Sequence, residues 1–227
     1  MHDLKWSIRV VVEWLAIAGL FYAASLTTSL IAGFVIALLL GPRQHALGII
    51  GHWAMHGLIQ RWIMWACFVP IAIDPFTYRV SHTAHHNWLG LPVDPEREVV
   101  EKYRARWGRL WLRDIVADAL FLHIDEMIDI MRLLTSARAV VLYIVFVACL
   151  YLLIGNLAIL WPLGMGGLLI AHRLRARCEH DHIAQPGVTF QHKKPPLLDR
   201  IVYLPHYAWL HAEHHANPRS TVWETSP

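Results

Sequence analysis

Residues 81–88 read Ser-His-Thr-Ala-His-His-Asn-Trp, and 129 positions on, at 210–216, Leu-His-Ala-Glu-His-His-Ala repeats the pattern. In each stretch a histidine is followed three and four residues later by an adjacent pair, His82/His85/His86 and His211/His214/His215. On an α-helix, positions i, i+3 and i+4 share one face, so three imidazoles can point at one spot. A third member stands at His52 and His56, again i and i+4. These boxes take eight of the 16 histidines. Imidazole is a common ligand for iron, zinc and copper, and eight converging donors are too many for one ion. The pattern predicts a two-metal site, four donors per ion if they are shared evenly.

The rest of the chain decides where such a site sits. Its 227 residues suit a single domain over 1–227. With 56% hydrophobic and 16% charged residues, they suit a membrane protein that carries polar segments. A net charge of +3, with Lys and Arg gathered at segment ends, argues against nucleic acid and for membrane topology. Cys67, Cys149 and Cys178 form no CxxC pair and no disulfide framework. The N-terminus leads into its long apolar run without a convincing small-residue cleavage site, and the run reads as a retained anchor.

That run, Ile8 to Leu40, is 33 residues, entered past Lys5 and Arg9 and carrying Glu13 within. As one helix it would be about 50 Å long against a hydrocarbon core of about 30 Å. Ser25-Leu-Thr-Thr-Ser29 in its middle reads as the bend of a helical hairpin, with a single tilted helix as the alternative. Gly41-Pro42 is expected to break the run, and Gln44 onward to start the helix of the first box. Leu58 to Ile73 is apolar but short, fit for the core, the interface or a re-entrant segment. Leu91-Pro-Val-Asp-Pro-Glu-Arg reads as a loop. From Glu101 to Arg138 charges interleave with Trp107, Leu110, Trp111, Ile115, Leu120, Phe121, Ile124, Ile128 and Leu133, a spacing for amphipathic surface helices.

Ala139 to His172 is a second uncharged block, bent at Gly155-Asn156 and bracketed by Arg132/Arg138 and Arg173/Arg175/Arg177. Positive flanks favour the cytoplasm. The expected fold is therefore an all-α integral membrane protein of the inner or cytoplasmic membrane. About four transmembrane helices form two hairpins, and a cytoplasmic helical cap carries the boxes.

The three boxes in order, with this hydropathy, resemble the membrane fatty acid desaturase and hydroxylase superfamily, whose boxes follow HxxxH, HxxHH and HxxHH. His-Trp-Ala-Met-His-Gly at 52–57 looks like the first. His-Thr-Ala-His-His-Asn-Trp-Leu-Gly-Leu-Pro-Val-Asp-Pro at 82–95 looks like the second, and His-Ala-Glu-His-His-Ala-Asn-Pro at 211–218 like the third. The resemblance implies two iron ions held by His52, His56, His82, His85, His86, His211, His214 and His215. It also implies O₂ as co-substrate and a separate electron donor of ferredoxin, rubredoxin or cytochrome type. The implied reaction is desaturation of a lipid or fatty acyl chain. The short first box keeps lipid hydroxylation and carotenoid ketolation or hydroxylation as alternatives.

The family adds a further donor before the third box. Arg-Cys-Glu-His-Asp-His at 177–182 is similar to that segment and nominates His180, with His182 and His172 behind it. Asp94, Glu179, Asp181 and Glu213 are candidates to orient the imidazoles. Trp53 and Trp88, beside ligands, are candidates to line a substrate channel. HExxH is absent, which argues against a zinc hydrolase. A metal transporter is the distant alternative, since transport sites lie near the midplane and these boxes fall outside the long apolar runs.

Overall fold

The computed structural model describes residues 2–57, 60–97, 112–180 and 195–218. The elements are helical: α1 (His2–Ser25), α2 (Leu30–Met55), α3 (Arg61–Phe68) with a 3-10 turn at Val69–Ile71, and α4 (Pro75–Trp88). There follow α5 (Leu112–Ala119), α6 (Ile124–Leu134) and α7 (Ala137–Ile154). A 3-10 turn at Gly155–Ile159 leads to α8 (Leu160–Leu163), α9 (Met165–His180), α10 (Leu197–Val202) and, after Ala208–Leu210, α11 (His211–Ala216). Among the described residues there is no strand.

Among the described residues, three helical stretches are long and apolar enough to cross a bilayer: Leu4–Ser25, Leu30–Met55 and the 40-residue stretch Ala137–Ala176. Their outward faces are apolar; Leu30 is 91% exposed and Leu152 83%. Surfaces of that kind suit hydrocarbon rather than water.

The chain turns between α1 and α2 at Leu26–Ser29, where the Ser29 hydroxyl caps α2 by accepting from the Ala32 amide. Trp6, Val10, Glu13, Ile17, Phe21 and Ala24 are all buried and recur every three or four residues, so they form one seam of α1. Across that seam Arg43 of α2 pairs with Glu13 at 3.0 Å. Pairing neutralises the carboxylate that interrupts the apolar run. The second block also doubles back. Gly155 takes φ 61°, and the rings of Phe146 and Trp161, fifteen residues apart, meet edge to face at 5.3 Å.

One expectation fails. Gly41-Pro42 does not break the chain: α2 runs through Pro42 to Met55. Proline removes the amide that would have bonded the Leu38 carbonyl, and a neighbouring helix fits into that gap. A Cβ on Gly167 would sit 2.1 Å from the Leu38 oxygen, and one on Gly41 2.2 Å from the Gly167 backbone. Two glycines and a proline thus form the crossing of α9 on α2. Nearby, Gln44 donates to the Trp161 carbonyl at 2.8 Å, and the Trp161 indole donates to the Pro70 carbonyl at 2.7 Å.

The short apolar segment after the first box packs in the core. Ile63, Cys67, Phe68 and Ile71 are buried, and Phe68 lies where a Cβ on Gly51 would stand. Of the expected surface helices, α5 and α6 are described; Trp107, Leu110 and Trp111 lie outside the described residues. Asp74 ties the junction of α6 and α7 to the second box. Its carboxylate caps α4 through the amides of Phe76 and Thr77 and accepts from Ser136 at 2.5 Å and Arg138 at 2.8 Å.

Candidate metal centre

The three boxes come from three helices: His52 near the end of α2 with His56 at its C-cap, His82/His85/His86 in α4, and His211/His214/His215 in α11. Although spread over 164 positions, all eight imidazoles meet, in two groups. His52, His56, His82, His86 and His214 place one nitrogen each within 4.8 Å of one another; His85, His211 and His215 do the same. The division is five and three, not four and four. Both α4 and α11 contribute to each group, because residues i+3 and i+4 diverge by about 100° around a helix.

In the larger group, Nε2 atoms form a chain of 2.9 Å contacts from His52 to His214, His86 and His82. His215 and His211 make the same contact in the smaller group. Each ring nitrogen has a single in-plane direction, filled by one proton or one lone pair. Hydrogen bonds therefore cannot serve all three contacts of the larger group, whereas a cation among them would use every lone pair. The His56 Nε2 is buried with no hydrogen-bond partner among the described residues. The donor set fits a metal.

Burial and neighbouring charge keep four donors of the larger group neutral. Burial, then the neighbouring His86 and Arg79, pushes His56 down to about 3. Burial and His85 push His86 down to about 4, against the opposing pull of Glu96. Burial followed by adjacent imidazoles holds His82 and His214 well below the usual histidine value. Neutral imidazole is the form that binds metal.

The far side of the rings is also fixed. Both Asp94 oxygens face His85 Nδ1, at 2.9 and 3.1 Å, and the same carboxylate accepts from the amides of Gly90 and Glu96. Two residues that the sequence reading did not nominate act alike: Glu96 lies 3.2 Å from His82 Nδ1, and the Tyr78 hydroxyl 3.3 Å from His52 Nδ1. Tyr78 stands four residues before His82, so the same-face spacing of the boxes would have found it. Glu96 reaches back from a loop, which leaves no periodic signal.

The remaining candidates fall as follows. α9 carries the chain as far as His180, but the side chains of Glu179 and His180 lie outside the described residues, as do Asp181 and His182. Glu213 lies in α11 between His211 and His214. Trp53 is buried with its ring 4.9 Å from that of His214 and donates to the His206 carbonyl; Trp88 is half exposed. Neither tryptophan lines the apolar cleft that runs from Tyr78 past Phe68, Ile71, Leu168, Met127 and Met131, with His45, His172 and Arg175 as its polar wall.

The molecule is thus an all-helical protein with apolar candidate spans and two histidine clusters able to hold metal. Residues 28–225 match the family model for fatty acid desaturases, and the chain belongs to that family. It is an oxidoreductase of the lipid desaturase and hydroxylase kind and a membrane protein. Comparison with curated proteins and with solved structures yields no match.

Proposed function

We propose that this enzyme uses two iron ions, O₂ and electrons from a separate donor to desaturate an aliphatic chain of a lipid or fatty acyl substrate. The five-and-three grouping of the box histidines beside an apolar cleft carries this reading. His52, His56, His82, His86 and His214 would hold one iron. His85, His211 and His215 would hold the other, with His180 as a ninth ligand on the poorer site. Bound iron supplies O₂ activation and the oxidising power that an unactivated C–H bond demands.

The chain's own residues do the rest. Asp94 keeps the proton of His85 on Nδ1 and so turns the Nε2 lone pair inward; Glu96 does so for His82. The apolar walls of the cleft exclude water and hold methylene groups beside Tyr78, itself in contact with His52. Four spans paired as two hairpins, with termini and boxes on the cytoplasmic side, complete the proposal; the doubling back at Gly155 and the arginines at the block ends support it.

Hydroxylation or ketone formation at the same site is the second reading. The polar wall of His45, His172 and Arg175 favours it, because it would suit a chain that bears oxygen. Mass spectrometry of host lipids and pigments, with and without expression, tests both. Loss of two hydrogens from an acyl chain is the expected result. A gain of one oxygen selects the second reading, and no change in either pool alongside iron-free protein overturns both.

A further inference from the structure

His45 precedes His52 by seven residues in α2, two turns and about 10 Å back along the axis, so both stand on one face of the helix. Its ring is 4% exposed and lines the apolar cleft. Gly48 lies between the two histidines on that face and lines the cleft as well. A Cβ there would come 3.3 Å from Ile71 Cδ1, so a side chain would press on the opposite wall. Bare backbone thus keeps the cleft clear along α2 from His45 towards His52.

The hydrogen bonding of His45 fixes what the ring can offer. Its Nε2 lies 3.2 Å from the Tyr203 carbonyl. A carbonyl only accepts, so Nε2 carries the proton. No carboxylate is among the described lining residues to hold a second proton on the ring, and a cation buried against apolar side chains is costly. Nδ1 therefore keeps its lone pair, and no described residue donates to it. His172 meets the ring edge-on, with centroids 6.1 Å apart. A buried acceptor so placed costs free energy until a donor arrives. An ester, a ketone or an ionised carboxylate brings acceptors alone. A hydroxyl brings the proton that is needed.

We propose that the substrate of this cleft carries a hydroxyl group, which donates to His45 Nδ1 while its aliphatic part runs past Gly48 to present a C–H bond beside Tyr78 and His52. The inference rests on reading the cleft as the substrate site and narrows that reading to hydroxyl-bearing chains. The hydroxyl is an anchor rather than the point of attack, because about two turns of helix separate His45 from His52. His45 is then the residue that selects the substrate.

The test is competition binding to the iron-loaded full chain in detergent, with tritiated hexadecanol displaced by hexadecanol, by its methyl ether and by hexadecanoate. Hexadecanol is expected to bind roughly fivefold more tightly than the ether, which has the same chain and no donor; that is the size of one net hydrogen bond. Hexadecanoate should bind no better than the ether. His45→Phe should bring alcohol and ether level at wild-type iron content. His45→Gln should restore part of the preference, because its amide can donate to the Tyr203 carbonyl and turn its oxygen to the hydroxyl. The comparison of alcohol with ether in the wild type decides the matter even where His45→Phe does not fold. Equal affinity for alcohol and ether, a preference that survives in folded His45→Phe, or hexadecanoate as the tightest of the three would overturn the hydroxyl anchor and leave the cleft as a chain site. A lack of saturable hexadecanol binding would overturn the anchor and the substrate cleft together.

Discussion

A carboxylate at Nδ1 fixes the tautomer of an imidazole and so decides which nitrogen is left to face a metal. Asp94 does this for His85 with both oxygens while also holding the loop through the Gly90 and Glu96 amides. Asp94→Asn is expected to weaken iron binding about 10- to 100-fold while leaving the helical content unchanged, as read by metal analysis beside circular dichroism. Iron retention equal to wild type would show that the loop, not the tautomer, is what Asp94 serves. The group of three is the one short of donors. His180→Ala should therefore lose about one of two irons and all turnover, whereas His182→Ala keeps both; the reverse would reassign the ninth ligand. The eight box histidines were legible because a spacing of three and four leaves a mark in the sequence. Tyr78 carries the same mark, four residues before His82, but a tyrosine at that spacing is ordinary helix packing and does not announce a metal site. Glu96 carries none, since its position depends on how a loop returns.

At the scale of elements, the crossing of α9 on α2 is the tightest contact described, and it has no room for a side chain. Gly167→Val should destabilise the fold by about 3 kcal/mol or more, seen as a lower thermal midpoint in detergent with loss of iron. A stable, iron-loaded variant would mean that the helices can separate at no cost to the site. Pro42 explains why this crossing escaped the sequence reading. A proline in an apolar run signals a break, and only the neighbour's glycine turns the lost hydrogen bond into a fitting surface. Asp74 governs a second junction. Burial opposes its charge, but Ser136, Arg138 and the α4 amides overcome that and hold its carboxyl down to about 2, from 3.8. Because the folded value is depressed, the stability it confers is complete above about pH 4 and is lost as pH falls through 4 towards 2. Asp74→Asn should flatten that acid limb of the thermal-midpoint profile; an unchanged limb would show that other carboxylates cause it.

For the whole molecule, hydropathy and the seam of α1 were readable as a membrane protein, and the reversal at Ser25–Ser29 fell where the polar residues were. The side of the membrane follows from arginine placement alone, so labelling must test it. A cysteine introduced at Pro95 should react only after permeabilisation, and one at Thr28 or Asn156 from outside; outside labelling at 95 would refute the paired-hairpin topology. One further property follows from the way the histidines are dealt out. His85 and His86 are neighbours in α4 yet serve different groups, and so do His214 and His215 in α11. Both clusters able to hold metal thus draw on the same pair of rods, their neighbouring donors spaced by a single peptide unit, with His52 and His56 from the end of α2 completing the larger one. With two irons bound as proposed, seating the first would freeze the rods and prepare the second seat. Uptake of ferrous ion by the emptied protein should then be steeply sigmoidal, passing from bare to doubly filled with almost no half-filled molecules between.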